Sequence, residues 1–136
     1  MPVTDPVADM IVRIKNANER RQPKVVMPHS NLKEAILGAL KDEGFIKEFR
    51  VTEHPEHGAK VREIQVYLKY GPDNERVIRG LLRVSKPGRR NFVGVEEIPK
   101  VMDGFGLAIL STSQGVMSSR VAKAKRTGGE VLFTVW

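Results

Sequence analysis

The chain has 136 residues, of which 23 are Lys or Arg and 16 are Asp or Glu, so its formal net charge is +7. It contains no cysteine, which excludes disulfides, thiol catalysis and cysteine-ligated zinc. No apolar run approaches the roughly 20 residues of a membrane span, and residues 1–5 lack a charged stretch followed by an apolar one. We therefore expect a folded cytoplasmic protein with no membrane partner, whose positive charge favours a polyanion.

The first 70 residues predict two helices and three strands. Asp5-Pro6 begins the first helix, because Asp caps a helix N-terminus and Pro is tolerated at the first helical position. Its apolar stripe comprises Val7, Met10, Ile11, Ile14 and Ala17. The second helix has the clearest period, comprising Leu32, Ala35, Ile36, Ala39 and Leu40. The strands are predicted at residues 24–28, 45–51 and 60–70, the last two as a hairpin packed against both helices.

The remaining residues predict a sheet with short helical turns. Residues 71–74 contain Gly, Pro, Asp and Asn and form the best linker. Strands are predicted at 81–85, 92–95, 107–110 and 130–136, and helical turns at 75–80 and 119–125. The predicted fold class is α+β, with two small α/β domains: residues 1–70, with two helices and a three-stranded sheet, and residues 71–136, mostly β with short helices.

A hydroxyl-rich turn lies between two apolar segments of the second half. Ser111, Thr112 and Ser113 follow a buried strand and precede Gln114-Gly115, which is a turn signal. Each hydroxyl donates one hydrogen bond and accepts two, which suits the 2′-hydroxyls and base edges of an RNA minor groove. Most Ser/Thr-rich turns instead satisfy their own backbone, so the turn alone does not decide the matter.

The densest basic turn also lies in the second half, which carries 11 basic and 6 acidic side chains, a net charge of +5. Lys86, Gly88, Arg89 and Arg90 surround Pro87, which with Gly88 shapes a tight turn that exposes the cations. Guanidinium groups bind phosphate oxygens in a bidentate manner, while lysine acts as a point charge. Phosphate binding is favoured over a merely solvated loop.

Other residues of the second half leave alternatives open. Glu130 could accept a hydrogen bond from a cytosine or guanine amino group, or could hold an arginine in place. Phe92 could stack on a base or ribose, although a place in the core is favoured. A second basic cluster follows the hydroxyl-rich turn and comprises Arg120, Lys123, Lys125 and Arg126. Solvated charge and a contact with the polyanion are equally good interpretations of this cluster.

The sequence contains no convincing catalytic or metal constellation. His54-Pro55-Glu56-His57 invites a metal interpretation, but the proline opposes a helix that would align two ligands. Ser111 has no evident histidine base, and glycine patterns of nucleotide-binding loops are absent from the sequence. We therefore predict a protein that is not an enzyme and that needs no metal or other cofactor.

Several blocks together resemble the bacterial family of ribosomal protein eight of the small subunit. Residues 106–123 follow the pattern Gly-x-x-Ile-Leu-Ser-Thr-x-x-Gly-Val-Met-x-x-x-x-Ala-Lys. The other blocks are Asp5-Pro6-Val7-Ala8-Asp9-Met10, Leu68-Lys69-Tyr70-Gly71, Arg83-Val84-Ser85-Lys86-Pro87-Gly88, Glu97-Ile98-Pro99-Lys100-Val101 and Gly128-Gly129-Glu130-Val131. They fall in the family's order over nearly the whole chain, which makes the resemblance far more specific than any single motif.

The resemblance implies a structural constituent of the ribosome that binds the central domain of 16S ribosomal RNA and supports 30S assembly. Neighbouring small-subunit proteins are further implied partners, and many members also repress translation of their own operon by binding an mRNA mimic. The implied contacts are Ser111, Thr112, Ser113 and Gly115 in the hydroxyl-rich turn, Lys86, Gly88, Arg89 and Arg90 in the basic turn, and Ser30, Asn31 and Lys33 at the second helix. Phe92 and Gln114 depart from the family, which commonly has tyrosine and lysine there.

Two rival classes are left open by the residues alone. The basic half could meet an acidic protein, in which case RNA would not co-purify with the chain. The hydroxyl-rich turn could also cradle a phosphate in an enzyme of phosphoryl chemistry, which a nucleotide titration would reveal.

Overall fold

The computed structural model describes residues 5–136, so the predicted lack of a secretory signal falls mostly on residues outside the described part. The helices are α1 (Pro6–Glu19), α2 (Asn31–Asp42) and α3 (Ser119–Ala124). The strands are β1 (Lys24–Pro28), β2 (Ile46–Glu56), β3 (Ala59–Leu68), β4 (Leu81–Arg83), β5 (Phe92–Val93), β6 (Leu107–Thr112), β7 (Gly115–Ser118) and β8 (Gly129–Val135). Short 3₁₀ turns lie at Val95–Glu97 and Met102–Gly104.

Two antiparallel sheets organise these elements and confirm the predicted α+β class. The first sheet has the strand order β1-β3-β2, and the second has the order β4-β8-β6-β7, with β5 also paired to β8. Helix α1 contacts β1 and β4, while α2 contacts β2 and β7, so each long helix touches both sheets.

Local sequence signals explain most of the first half. Asp5 caps α1 by accepting a hydrogen bond from the amide of Ala8 at 3.1 Å, and Pro6 is the first helical residue. All five residues of the predicted apolar stripe are buried. The β2–β3 hairpin is longer than predicted: only His57 and Gly58 form its turn, with φ of 51° and 79°. A turn with both central residues at positive φ matches the twist of paired strands.

The predicted helical turn at residues 75–80 is wrong. This segment of the described chain is irregular, because its backbone groups form hydrogen bonds outside the segment. The carbonyl of Glu75 accepts a hydrogen bond from the amide of Gly71, and the amides of Arg79 and Gly80 both donate to the carbonyl of Trp136. Pairing with the end of the chain therefore replaces a local helix.

The larger buried cluster contains residues from both halves of the chain. Met10, Ile36 and Ile64 from the first half share it with Ile109 and Phe133 from the second. A smaller cluster includes Ala108 and Leu110, the neighbours of Ile109 on β6, which therefore buries both of its faces. The predicted domain boundary between residues 70 and 71 stays a prediction. Buried side chains from both sides of this boundary belong to the same cluster.

Two charged contacts also join the halves. Asp5 accepts hydrogen bonds from Nε and Nη2 of Arg83 at 3.1 and 3.2 Å. Glu43 accepts from Ser118 Oγ at 2.6 Å and from Arg120 Nη2 at 3.1 Å. Burial raises the pKa of both carboxyl groups, but the hydrogen bonds, chiefly from Arg83 and from Arg120, lower each pKa below its ordinary value.

Candidate nucleic-acid interface

The hydroxyl-rich turn joins β6 to β7 as predicted. Thr112 pairs with Gly115, so Ser113 and Gln114 alone form the turn. Gly115 has a φ of +114°, which side-chain-bearing residues rarely adopt. Ser111 and Thr112 are half-buried, whereas Ser113 and Gly115 are exposed. The strand–turn–strand prediction is confirmed, and the sheet holds the base of the turn in place.

The Thr112 hydroxyl is used inside the turn. Its Oγ1 donates to the carbonyl of Gly115 at 2.8 Å and accepts from the amide of Gln114 at 3.0 Å. The alternative interpretation, in which such hydroxyls form hydrogen bonds with their own backbone, therefore applies to Thr112. Ser111 and Ser113 are better candidates for contact with a ligand.

Glycine at two positions lets the chain at the start of β8 lie close to the backbones of β6 and β5. A Cβ on Gly129 would lie 2.3 Å from the Ser111 carbonyl oxygen, and a Cβ on Gly128 would lie 2.3 Å from that of Val93. Both distances are too short for any side chain. The sequence indicated only a separator before the last strand here, and close backbone approach is the physical reason for both glycines.

The basic turn is tight and exposed. Lys86 and Arg89 exchange backbone hydrogen bonds of 3.1 and 2.9 Å, which leaves Pro87 and Gly88 at its tip. Lys86, Gly88, Arg89 and Arg90 are all exposed. A Cβ on Gly88 would meet no atom within 4 Å, so the turn tolerates a side chain there.

Glu130 forms an ion pair with Arg90. Holding an arginine in place was one of the two roles predicted for Glu130. Its Oε2 accepts a hydrogen bond from Nη1 of Arg90 at 3.2 Å and another from the hydroxyl of Ser85. The Glu130 side chain is 16% exposed and that of Arg90 is 49% exposed, so the pair is anchored on one side and open on the other. The buried Ser85 has no predicted role, although it belongs to one of the resembling blocks.

A cleft of about 160 Å³ brings several predicted residues together. Ser111, Arg90 and Glu130 line it, with Pro87 from the basic turn and Leu32 from α2. Glu130 and Ser111 are direct neighbours across the β6–β8 pair. The hydroxyl-rich turn, the basic turn and the start of α2 therefore converge at one cleft.

The predicted contacts at the start of α2 are only partly accessible. Ser30 caps the helix by accepting a hydrogen bond from the Lys33 amide at 3.1 Å, and Asn31 is exposed. Lys33 is only 5% exposed, and its Nζ donates to the Pro28 carbonyl at 3.1 Å. Burial lowers the pKa of Lys33, an effect that the Asp9 carboxylate opposes. Lys33 therefore stabilises the fold through this bond, and its predicted contact with RNA stays a prediction.

Two further predictions change with the structure. The favoured core position of Phe92 is wrong, because this side chain is 70% exposed beside the basic turn. The exposed ring of Phe92 thus adds an apolar element to the basic surface.

The second basic cluster is divided in the structure. Arg120 is bound to Glu43, while Lys123, Lys125 and Arg126 are exposed.

The histidine-rich hairpin offers little to a metal ion. His54 pairs with Glu63 across β2 and β3, and the His57 side chain is 93% exposed. Among residues 5–136 no group of three or more His, Cys, Asp or Glu side chains could hold a metal. Over the same residues, none of the helices has both the length and the apolar character that crossing a membrane requires.

Comparison with known proteins agrees with the resemblance. The family model described as ribosomal protein S8 matches residues 5–136. Small ribosomal subunit proteins uS8 from Lactobacillus helveticus, Geobacillus kaustophilus and Acholeplasma laidlawii are each 49% identical to the chain over 136 residues, which cover all of both chains. The chain therefore belongs to the ribosomal protein S8 family, whose members are structural, non-enzymatic proteins of the small subunit of the cytoplasmic ribosome.

Proposed function

We propose that the chain binds the central domain of 16S ribosomal RNA directly, as a primary binding protein, and supports assembly of the small subunit. The observation that carries this proposal is the convergence of Ser111, Arg90 and Glu130 at one cleft beside exposed cations. A net charge of +5 on residues 71–136 also supports binding to RNA, because RNA is a polyanion.

The two turns have different tasks in this proposal. Lys86, Arg89 and Arg90 neutralise phosphates and supply affinity that depends on salt, because bound cations displace counterions from RNA. Ser111 and Ser113 exchange hydrogen bonds with 2′-hydroxyls and base edges of an irregular helix. Glu130 fixes the direction of Arg90, while Asn31 and the Ser30 backbone extend the surface onto α2.

Paired substitutions test this division. Replacing Arg89 and Arg90 by alanine should weaken binding to cognate and unrelated RNA alike and should lower the salt slope by about 1 per lost phosphate contact. Replacing Ser111 and Ser113 by alanine should instead reduce the preference for the cognate site, with about 1–3 kcal/mol for each bond whose partner stays buried. Filter binding at several salt concentrations measures both effects.

The matched control removes the same charge elsewhere. Lys60 and Arg62 are exposed on β3 of the other sheet, so K60A/R62A should lower affinity much less than R89A/R90A. Serine variants that retain full discrimination between cognate and unrelated RNA would contradict the assigned roles.

The same surface would serve in translational repression. An operon mRNA that mimics the ribosomal site would meet the same hydroxyl and cation pattern, a proposal that rests on the family resemblance. A leader transcript from the chain's own operon should compete with the ribosomal RNA fragment, and S111A/S113A should weaken both complexes equally. A transcript that fails to compete would remove repression from the proposal.

A further inference from the structure

One buried serine joins the basic turn to the carboxylate that binds Arg90. Ser85 lies directly before the basic turn, and its exposed fraction is 0%. Its hydroxyl donates a hydrogen bond to Oε2 of Glu130 and accepts one from the amide of Asn91 at 3.1 Å. Because Asn91 directly follows the turn, a single hydroxyl contacts both the residue after the turn and the carboxylate beside it.

The backbone holds both ends of the basic turn against β8. The Ser85 amide donates to the carbonyl of Val131 at 3.0 Å, and the Val131 amide donates to the carbonyl of Asn91 at 2.9 Å. Val131 follows Glu130 in the chain, so the turn begins and ends beside this carboxylate. These backbone bonds fix the position of the turn, while the hydroxyl of Ser85 fixes the side chain of Glu130 relative to it.

The direction of Arg90 depends on this arrangement. Oε2 of Glu130 accepts a hydrogen bond from Nη1 of Arg90 at 3.2 Å as well as the one from Ser85. A guanidinium group carries several N–H donors in one plane, so a bond through Nη1 orients the plane and leaves other donors for a phosphate. Without the hydroxyl of Ser85, the carboxylate of Glu130 would rotate more freely and Arg90 would lose its fixed direction.

Burial prevents Ser85 from contacting RNA itself. Arg90 and Glu130 line the cleft together with Ser111, and the Arg90 side chain is 49% exposed. Ser85, in contrast, is fully buried and is not among the residues that line the cleft. Any effect of its hydroxyl on RNA binding must therefore pass through the groups to which it is bound.

We propose that Ser85 is a positioning residue for RNA binding, whose hydroxyl holds Glu130 so that Glu130 orients Arg90 toward a phosphate. The inference rests on the proposed function, in which Arg90 neutralises a phosphate of the RNA. A residue with no exposed surface thereby contributes to the affinity of the basic turn.

Ser85→Ala tests this role, because it removes the hydroxyl and leaves the net charge unchanged. We expect the affinity of the full chain for a fragment of the 16S central domain to fall by about threefold to tenfold, the effect of one ordinary hydrogen bond. The slope of log affinity against log salt should become shallower by about 1, because a misdirected Arg90 no longer displaces counterions at its phosphate. Filter binding at several salt concentrations measures both quantities.

Ser119→Ala is the matched control. Ser119 is also buried, and its hydroxyl also accepts a backbone hydrogen bond, from the amide of Ala108 at 3.1 Å. It lies in α3 and not in the lining of the cleft. A purely structural loss reduces the fraction of folded protein but not the number of phosphate contacts, so Ser119→Ala should keep the salt slope of the unaltered chain.

A double variant shows whether Ser85 acts through Arg90. Adding Ser85→Ala to Arg90→Ala should lower the affinity further by less than about twofold, because the side chain that Ser85 positions is already absent. Should Ser85→Ala not fold, Ser85→Cys gives the same readouts under reducing conditions, since a thiol is only a weak donor. Circular dichroism of each variant verifies folding.

The outcomes separate this inference from the proposed function. An unchanged salt slope in Ser85→Ala, or an equal loss of affinity with and without Arg90, would overturn the positioning role. If Arg90→Ala itself bound the RNA fragment as tightly as the unaltered chain, the result would instead count against the proposed function.

Discussion

The hydroxyl groups of the β6–β7 turn differ in what they already bind. The Thr112 hydroxyl makes two hydrogen bonds within the turn, whereas Ser113 is exposed at its tip. Thr112→Val keeps the shape of the side chain and removes both bonds, so it should lower the free energy of unfolding by about 1 kcal/mol. Urea denaturation measures this change.

Ser113→Ala is the matched control for that prediction. An exposed hydroxyl contributes little to folding, so this variant should stay within about 0.5 kcal/mol of the unaltered chain while it loses discrimination between RNAs. If Ser113→Ala destabilised the fold as much as Thr112→Val, the two hydroxyls would not have the separate roles assigned to them.

Glu130 is expected to act on RNA through Arg90. Glu130→Gln and Arg90→Ala should each weaken RNA binding, and the double variant should bind no worse than Arg90→Ala alone. The coupling energy should fall in the range of about 0.5–3 kcal/mol that contacting residues show. Filter binding of the four proteins at one salt concentration completes the cycle.

The loss of one negative charge needs its own control. Glu96→Gln removes an exposed carboxylate in the same half of the chain and should leave RNA affinity unchanged or slightly raise it. Additive effects of Glu130→Gln and Arg90→Ala would indicate that Glu130 touches RNA independently of Arg90.

Contacts between elements connect folding to pH. The pKa values of Asp5 and Glu43 lie below their ordinary values of 3.8 and 4.5 because Arg83 and Arg120 donate hydrogen bonds to them. Their stabilisation is therefore present above the unfolded-state values and is lost as the pH falls through the lower folded-state values. Urea denaturation from about pH 6 to about pH 3 should show stability falling below about pH 4.5.

Glu43→Gln should flatten part of this pH profile. The Glu43 side chain is 10% exposed, so removing its charge should cost about 2 kcal/mol near neutral pH and less in acid. Glu53→Gln, on an exposed position of β2, is the control and should leave the profile unchanged. A Glu43→Gln profile parallel to that of the unaltered chain would exclude this linkage.

Elements with a strong local signal could be predicted from the sequence. The apolar stripe of α1 has helical spacing, and Pro87-Gly88 is enough to specify a tight turn. The helix expected at residues 75–80 failed because the carbonyl of Trp136, far away in sequence, accepts the amides of Arg79 and Gly80. A hydrogen-bond acceptor that is distant in sequence leaves no pattern in the residues around the donors.

The RNA contacts of individual residues stay predictions, but the proximity of their two turns can be compared with the structure. Residue type, charge and the family resemblance together predicted contacts from both turns, and the fold brings Ser111 and Arg90 to one cleft. The sequence could not show that Lys33 donates its hydrogen bond to the Pro28 carbonyl or that Phe92 stays exposed. Both outcomes depend on the position of neighbouring strands, which one side chain's chemistry does not determine.

At the scale of the whole molecule, the shared core predicts one cooperative unit. Met10 on α1 and Phe133 on β8 are both fully buried in the same cluster. The long helices lie in the first half, while Trp136, the single tryptophan, lies in the second. Circular dichroism and tryptophan fluorescence should therefore report the same urea midpoint.

Core substitutions on either side should move both signals together. Met10→Ala should lower the free energy of unfolding by about 3 kcal/mol and Phe133→Ala by about 4 kcal/mol, each equally by both probes. Val12→Ala, on the exposed face of α1, should shift neither midpoint appreciably. If Met10→Ala moved only the helical signal, residues 1–70 would unfold on their own. Coincident shifts would mean that the cleft proposed to bind RNA, which is lined from both halves, persists only while the entire chain is folded.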